Sequence, residues 1–256
     1  KSAENTKRLW MEWADKEGID RKEIEENAIF NQDGTVHWEG DCDWEDVTSL
    51  PPQLVEVTGY LDLSSLITLQ VGAITGNIGG YLNLYSLTTL EAGAIVGNVG
   101  RALYLSSLTT LEAGAIVGNV LGDLYLSCLT TLEAGAIAGD VGGDLNLPSL
   151  TTLEAGAIAG NVGGHLGLRR LTTLEVGAIA GNVGRYLNLP SLTTLEVGAI
   201  TGDVLGDLYL SSLTTLEAGV ITGDVREFVY LSAKNFSLIE KSKVKDLYPH
   251  LTFIFT

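Results

Sequence analysis

The chain has 256 residues, of which 45% are hydrophobic, and it contains 31 glycines but only 5 prolines. This composition supplies enough apolar material for a core and predicts many tight backbone corners, which argues against a disordered chain. The formal net charge of −17 argues against direct binding to nucleic acid or to an anionic membrane, and it favours cationic partners.

The cellular compartment is indicated by the cysteines and by the start of the chain. Cys42 and Cys128 are far apart in the sequence, and we interpret them as two free thiols in a reducing compartment. Residues 1–8 are polar and unlike a signal peptide. Every apolar run is interrupted by threonine, glutamate, glycine or asparagine before it reaches membrane-spanning length. We therefore expect a soluble, cytoplasmic protein.

Residues 1–58 are predicted to form an N-terminal cap, and they carry the only helical pattern in the chain. Amphipathic spacing predicts one helix over residues 6–15 and a second over residues 20–27, with Asp20 as its N-cap. A turn then leads into a predicted strand at residues 36–38. The cap holds all four tryptophans, which we expect to plug one end of the repeats that follow: Trp10, Trp13, Trp38 and Trp44.

Residues 59–225 consist of a 21-residue unit that is repeated about eight times without insertion or deletion. An idealised unit reads GYLNLSSLTTLEAGAIVGNVG. The leucine of its Thr-Thr-Leu-Glu segment marks each unit, with a weaker copy at Leu69. These leucines are Leu90, Leu111, Leu132, Leu153, Leu174, Leu195 and Leu216.

Each unit is predicted to contain three short strands. In the unit over residues 80–100, apolar and polar residues alternate at 81–84 and again at 89–92, and a third strand is predicted at 95–99. We therefore predict an all-β fold, a right-handed three-sided β-solenoid similar to a parallel β-helix. About eight coils would stack roughly 4.8 Å apart, with inward columns of equivalent residues, such as the one through Leu82, as the core.

Residues 226–256 are rich in aromatic and aliphatic residues and are predicted to form a C-terminal cap. An open solenoid end exposes apolar side chains and unpaired strand edges, which a cap must cover. Lys241, Lys243 and Lys245 are predicted to protect an edge strand there.

The segment Leu108-Thr-Thr-Leu-Glu-Ala-Gly-Ala-Ile116 resembles a degenerate leucine-rich repeat, whose pattern is L-x-x-L-x-L-x-x-N. The whole unit is similar to short leucine-rich-type repeat arrays of bacterial and phage proteins. Ile116 occupies the position of the pattern's ladder asparagine, so a straight all-β solenoid is expected instead of a curved horseshoe with helices on its outer side. Because leucine-rich arrays usually bind proteins, the resemblance implies binding rather than catalysis.

One outward position is glutamate in seven successive units, and this set is named the glutamate column. It comprises Glu91, Glu112, Glu133, Glu154, Glu175, Glu196 and Glu217. At the coil spacing, neighbouring carboxylates in water repel each other by somewhat less than ~1 kcal/mol, and by less in salt. Two explanations are open. Either each carboxylate accepts hydrogen bonds from a threonine hydroxyl or a turn amide of its own coil, or the column is a binding surface for a cationic partner.

A second column combines asparagines with aspartates and is named the asparagine ladder. It comprises Asn77, Asn98, Asn119, Asp140, Asn161, Asn182, Asp203 and Asp224. Because aspartate has no NH2 donor, these side chains are predicted to accept backbone N–H bonds at a turn, and calcium binding is the alternative. Adjacent threonines in each unit, as at Thr88 and Thr89, raise the possibility of ice binding. Adjacent strand residues point to opposite faces, however, which favours simple cross-strand stacking.

One unit departs from the others and carries His165, Arg169 and Arg170 in a single coil. These residues are a possible anion-binding spot, and drift of the repeat is the alternative. The three histidines of the chain are scattered, and the cysteines lack metal-ligand spacing. No phosphate-binding glycine loop precedes a helix. We therefore predict no catalytic site, no metal and no cofactor.

These patterns favour a non-enzymatic acidic scaffold that binds a protein partner with a basic surface. The alternative is an acidic decoy that imitates DNA. Residues 59–225 hold 14 acidic and 4 basic residues, a net charge of −10. Spread over a rod of roughly 38 Å, this is less than half the charge density of duplex DNA, which carries one charge per about 1.7 Å. Mimicry would therefore also need the acidic cap. An ice- or calcium-binding solenoid is the second alternative.

Overall fold

The chain winds into a β-solenoid of about ten turns, in which most strands are parallel. The computed structural model describes residues 2–256. Paired strands of the repeats join residues 21 positions apart, as at Leu82 and Leu103. One parallel sheet of eleven strands, named the main sheet, runs through these turns. The predicted all-β solenoid class is confirmed, whereas its right-handed winding stays a prediction.

The helices and strands have the following bounds. The helices are α1 (Ala3–Glu17), α2 (Arg21–Asn27) and α3 (Leu238–Leu247). The strands are β1 (Ala28–Phe30), β2 (Val36–Trp38), β3 (Cys42–Asp43), β4 (Leu54–Val57), β5 (Leu61–Asp62), β6 (Thr68–Leu69), β7 (Leu82–Asn83), β8 (Thr89–Leu90), β9 (Leu103–Tyr104), β10 (Thr110–Leu111), β11 (Leu124–Tyr125), β12 (Thr131–Leu132), β13 (Leu145–Asn146), β14 (Thr152–Leu153), β15 (Leu166–Gly167), β16 (Thr173–Leu174), β17 (Leu187–Asn188), β18 (Thr194–Leu195), β19 (Leu208–Leu210), β20 (Phe228–Leu231) and β21 (Thr252–Phe255). The main sheet has the order β3-β5-β7-β9-β11-β13-β15-β17-β19-β20-β21.

Two β-turns bend each coil around its core. The N–H of Leu87 donates to the carbonyl of Leu84 at 3.1 Å and closes the turn after β7. The N–H of Ala94 donates to the carbonyl of Glu91 at 3.1 Å and closes the turn after β8. Gly93, the third residue of this second turn, has a φ of 74°. Only glycine adopts that conformation without steric strain, which explains why the position is glycine in every repeat.

The third predicted strand, over residues 95–99, is wrong as a continuous element. It consists of two single-residue ladders of parallel bridges, one through Ile95 and one through Val99. Gly97 lies between the two ladders. This position requires glycine, because a Cβ here would lie 1.8 Å from the carbonyl oxygen of Gly76 in the preceding coil. Each coil therefore has four pairing positions, and the solenoid is not simply three-sided.

Seven side chains of each coil point into the solenoid and stack on their equivalents in the neighbouring coils. In the coil over residues 80–100, each of these side chains is at most 4% exposed. They are Leu82, Leu84, Leu87, Leu90, Ala94, Ile95 and Val99. Burial of a leucine, isoleucine or valine contributes roughly 1.5–3 kcal/mol. Stacking between coils is therefore the main source of stability, and the predicted inward columns are confirmed.

The four tryptophans are buried together against the first coils, where they form one cluster with the core. The indole N–H of Trp10 donates to the carbonyl of Pro52 at 2.7 Å, and that of Trp13 donates to the carbonyl of Ser49 at 2.8 Å. Both predicted helices are present. α2 begins directly after Asp20, its N-cap, and α1 is longer than predicted at both ends.

The C-terminal segment extends the main sheet by strands β20 and β21, and helix α3 connects them. The predicted lysines lie on α3 and not in a strand, because Ser237 and Glu240 form a capping box that begins a helix there. Lys241 Nζ nevertheless lies 5.2 Å from the ring centroid of Phe255 in the edge strand β21. The hydroxyl of Tyr248 accepts the N–H of Val220 at 3.1 Å and so covers a polar group of the last coil.

Candidate binding surfaces

The seven side chains of the glutamate column are all exposed. Each glutamate directly follows the leucine of the second strand position and begins the turn that contains the positive-φ glycine. The leucines before them are paired in register within short parallel sheets, as Leu132 is with Leu153. A continuous ladder of isoleucine bridges, as between Ile95 and Ile116, keeps the same register from coil to coil, so the glutamates repeat along one edge of the solenoid. The structure therefore brings the predicted acidic residues together as a single stripe.

Few side chains of the glutamate column accept a hydrogen bond from the protein. Glu133 accepts the N–H of Ala113 at 3.4 Å, and Glu154 accepts the N–H of Ala134 at 3.1 Å. Both donors belong to the preceding coil, and no threonine hydroxyl contributes. Among residues 2–256, the other five glutamate side chains of the column have no hydrogen-bond partner. The expectation of a local partner in the glutamate's own coil is therefore wrong.

The glutamate column also lacks intramolecular cations. Five ion pairs are found in the described part of the chain. All of them join residues of the N-terminal cap, within the range 8–56. Among the described residues, no cation therefore lies within ion-pair distance of a carboxylate of the column.

The asparagine ladder behaves differently, because each of its links is a hydrogen bond. The Oδ1 atom of one residue accepts the backbone N–H of the equivalent residue in the next coil. Asn98 accepts from Asn119 at 2.8 Å, and Asp140 accepts from Asn161 at 2.7 Å. Acceptance of backbone N–H bonds is confirmed, although the donor lies in the next coil. Only an acceptor is used, so asparagine and aspartate are interchangeable here. Among the described residues, no acidic, histidine or cysteine cluster is suited to a metal ion.

The paired threonines do not point to opposite faces, and that expectation is wrong. Thr88 and Thr89 are both exposed, because Thr88 lies before strand β8 begins. Hydroxyls at the first threonine position bond to the preceding coil, as when Thr130 Oγ1 donates to the carbonyl of Thr109 at 3.1 Å. Threonine therefore contributes to the stacking of coils through hydrogen bonds.

The predicted anion spot is partly assembled. His165 and Arg169 line a cleft of about 250 Å³ on the outer face of the main sheet, whereas Arg170 lies outside its lining. Sequence reasoning missed the other lining residues, which are Asp144, Asn146, Leu166, Gly167, Tyr186, Asn188 and Tyr209. The sequence does contain an indication of this cleft. The outward position of the main-sheet strand is glycine only at Gly167, and all the other turns have a larger residue there.

The outer face of the main sheet also carries stacked tyrosines. The rings of Tyr60 and Tyr81 are 4.6 Å apart, and those of Tyr104 and Tyr125 are 4.8 Å apart. Partial burial, together with the nearby carboxylate of Asp62, raises the pKa of Tyr81 to about 12. This face therefore combines aromatic surface with negative charge.

The two cysteines are free thiols, as predicted. Cys42 is buried, and burial raises the pKa of its thiol, while Cys128 is exposed. Within the described residues, no helix has both the length and the apolar composition needed to cross a membrane. The chain matches no known family model, no curated protein and no solved structure. Its character as a repeat solenoid therefore rests on the fold itself.

Proposed function

We propose that the chain is a non-enzymatic acidic scaffold that binds a protein partner with a basic surface through the glutamate column. The observation that carries this proposal is an exposed, regularly spaced row of carboxylates without intramolecular cations. A partner's lysines and arginines would replace the missing countercharges.

The energetics of the column support this function. Each pair of neighbouring carboxylates at the coil spacing repels by somewhat less than ~1 kcal/mol in water. Only Glu133 and Glu154 accept a backbone hydrogen bond, so most of this repulsion is not offset. Substitution by glutamine would keep the shape and remove the repulsion, yet all seven regular units have glutamate. A function that needs the negative charge explains this pattern.

The rigidity of the solenoid also favours recognition. The turns that hold the glutamates are fixed by stacked cores on one side and by the positive-φ glycines on the other. A preordered row of charges loses little conformational entropy when it binds. The resemblance to leucine-rich arrays supports protein binding in the same way, and the two free thiols suit the reducing cytoplasm.

The test is a pull-down from an extract of the source cells, with elution by increasing salt. The triple variant Glu133→Gln, Glu154→Gln and Glu175→Gln should lose the basic proteins that the wild type retains at low salt, because three adjacent charges of the stripe are gone. A charge-matched control is Asp140→Asn, Asp203→Asn and Asp224→Asn, which removes three charges but keeps every ladder acceptor. The control should retain the partner.

Equal loss in the two triple variants would show that total charge, and not the column, attracts the partner. Competition with duplex DNA distinguishes the scaffold from the acidic decoy. Proteins that DNA displaces from the wild type would mark the chain as an acidic decoy for nucleic-acid-binding proteins, whereas a partner retained in excess DNA supports the scaffold.

A further inference from the structure

The cleft at Gly167 is a gap in an otherwise continuous row of outward side chains. Gly167 is paired in register with Asn146 on one side and with Asn188 on the other. Strands of a sheet lie about 4.8 Å apart, so the two asparagines stand roughly 9.6 Å from each other across the glycine. The Oδ1 atom of Asn146 leans into the gap, 2.6 Å from where a Cβ of residue 167 would be.

Polar groups without partners surround this gap. The side-chain amides of Asn146 and Asn188 form no hydrogen bond with any of residues 2–256, and Arg169 forms no ion pair there. His165 Nδ1 accepts the N–H of Tyr186 at 3.3 Å, which leaves Nε2 of the neutral ring as a free donor. The rings of His165 and Tyr186 stack with centroids 4.4 Å apart, so the histidine is held in place.

The charge of this coil is also unusual. Residues 59–225 contain only four basic residues, and three of them, Arg169, Arg170 and Arg185, fall within 17 positions of one another. Drift of the repeat would scatter such departures over the array. Instead, His165, Gly167 and Arg169 lie at alternate positions of one strand and its following turn, and all three line the cleft. Each is the only histidine, glycine or arginine at its position in the repeats.

We infer that the cleft binds a hydroxylated anion about the size of one sugar ring. Arg169 would pair with its carboxylate or phosphate, because the guanidinium fork matches both groups. His165 Nε2 and the two asparagine amides would bind hydroxyl groups, since amides both donate and accept. The volume of about 250 Å³ is below that of sites for drug-sized ligands, and the rings of Tyr186 and Tyr209 add apolar surface for the ligand's C–H face.

The binding experiment is a titration of the protein's amide resonances with four probes: glucuronate, glucose 6-phosphate, glucose and inorganic phosphate. Glucuronate or glucose 6-phosphate should bind in the millimolar range or more tightly, with shifts centred on residues 144–146, 165–169 and 186–188. Whichever of the two binds more tightly identifies the anionic group. Glucose should bind at least about tenfold more weakly, since it lacks the charge that Arg169 recognises.

The chain supplies its own matched variants. Gly167→Asn introduces the residue of the adjacent strands β13 and β17 and fills the cleft, so binding should be abolished. Arg169→Ser introduces the serine found at the equivalent Ser127 and should weaken binding about tenfold or more. Arg170→Ser is the control. It removes the same charge outside the cleft, introduces the residue of Ser149 and Ser191, and should change affinity by less than about twofold.

Three results would overturn the inference. If neither glucuronate nor glucose 6-phosphate causes saturable shifts, the cleft is not a binding site and its unusual residues reflect drift of the repeat. Inorganic phosphate binding as tightly as both sugar anions would show an anion spot without hydroxyl recognition. Equal losses in Arg169→Ser and Arg170→Ser would show general attraction to a positive coil. Because the cleft lies on another face, none of these results depends on the glutamate column.

Discussion

The glutamate column and the asparagine ladder run side by side along the same rod, and they differ in what their side chains do. Every link of the ladder is a hydrogen bond to the next coil, as at Asn161 and Asn182 (2.8 Å), and its residues vary between asparagine and aspartate. The glutamates have few such bonds and never vary in seven units. A position that needs only an acceptor tolerates exchange of amide for carboxylate, whereas an invariant carboxylate with few local partners indicates a requirement for charge.

The largest effects should come from the glycines that shape the two columns. Gly139 precedes Asp140 of the ladder, and a Cβ there would lie 2.3 Å from the carbonyl oxygen of Gly118. Gly135 follows Glu133 by two residues and has a φ of 72° with open space around it. Gly139→Ala should lower the free energy of unfolding by about 3 kcal/mol or more, because neighbouring backbones must move apart.

Gly135→Ala is the matched substitution in the same coil. It should lower the free energy of unfolding by only about 1–2 kcal/mol, the strain of a left-handed alanine. Urea unfolding of both variants measures the difference. Equal losses would mean that the ladder corner has no special need for close backbone contact.

The ladder itself should respond to loss of an acceptor and not to gain of charge. Asn98→Ala removes the acceptor for the N–H of Asn119 and should destabilise the fold by about 0.5–1.5 kcal/mol. Asn98→Asp keeps the acceptor and has the uncharged Asn77 and Asn119 as its ladder neighbours, so it should change stability by less than half of that amount. Amide hydrogen exchange at Asn119 should become faster in the alanine variant only. Faster exchange in both variants would contradict the acceptor-only role.

The smallest effect should come from single charges, and it should have the opposite sign. Glu154→Gln removes repulsion from Glu133 and Glu175, so it should stabilise the fold by about 0.5–1 kcal/mol at low ionic strength and by much less at about 1 M salt. Asp140→Asn is the control, because Asp140 has uncharged asparagines as its neighbours in the ladder. Unfolding in urea at the two salt concentrations measures the stability of both variants. Equal increases in stability would show that repulsion within the column is not the cause.

Much of the fold could be predicted from the sequence, because a strict 21-residue period leaves only stacking as a way to bury the same leucines. The columns through Leu82, Ile95 and Val99 follow directly from that period. The break at Gly97 could not be predicted, because it depends on how close one backbone comes to the next. That Lys243 and its neighbours lie on a helix beside the edge strand was not predicted, since the capping box at Ser237 was not recognised.

The candidate sites could be predicted only where a residue is present. The glutamate column and His165 with Arg169 were found as unusual side chains in a regular pattern. The cleft itself was missed, because its floor is the absent side chain of Gly167 and its walls are the ordinary asparagines of adjacent strands. A missing side chain in a repeated column is therefore as informative as an unusual one. Once the register of the strands is known, the missing side chain predicts where a cleft lies.

The free energy of unfolding of the triple variant Glu133→Gln, Glu154→Gln and Glu175→Gln, measured at low ionic strength, tests the central claim most directly. Four neighbouring repulsions within the column are removed, so the variant should be more stable than the wild type by about 2 kcal/mol while it loses the basic partner. A less stable triple variant would show that the carboxylates hold the coils together, and it would contradict their assignment as a binding surface.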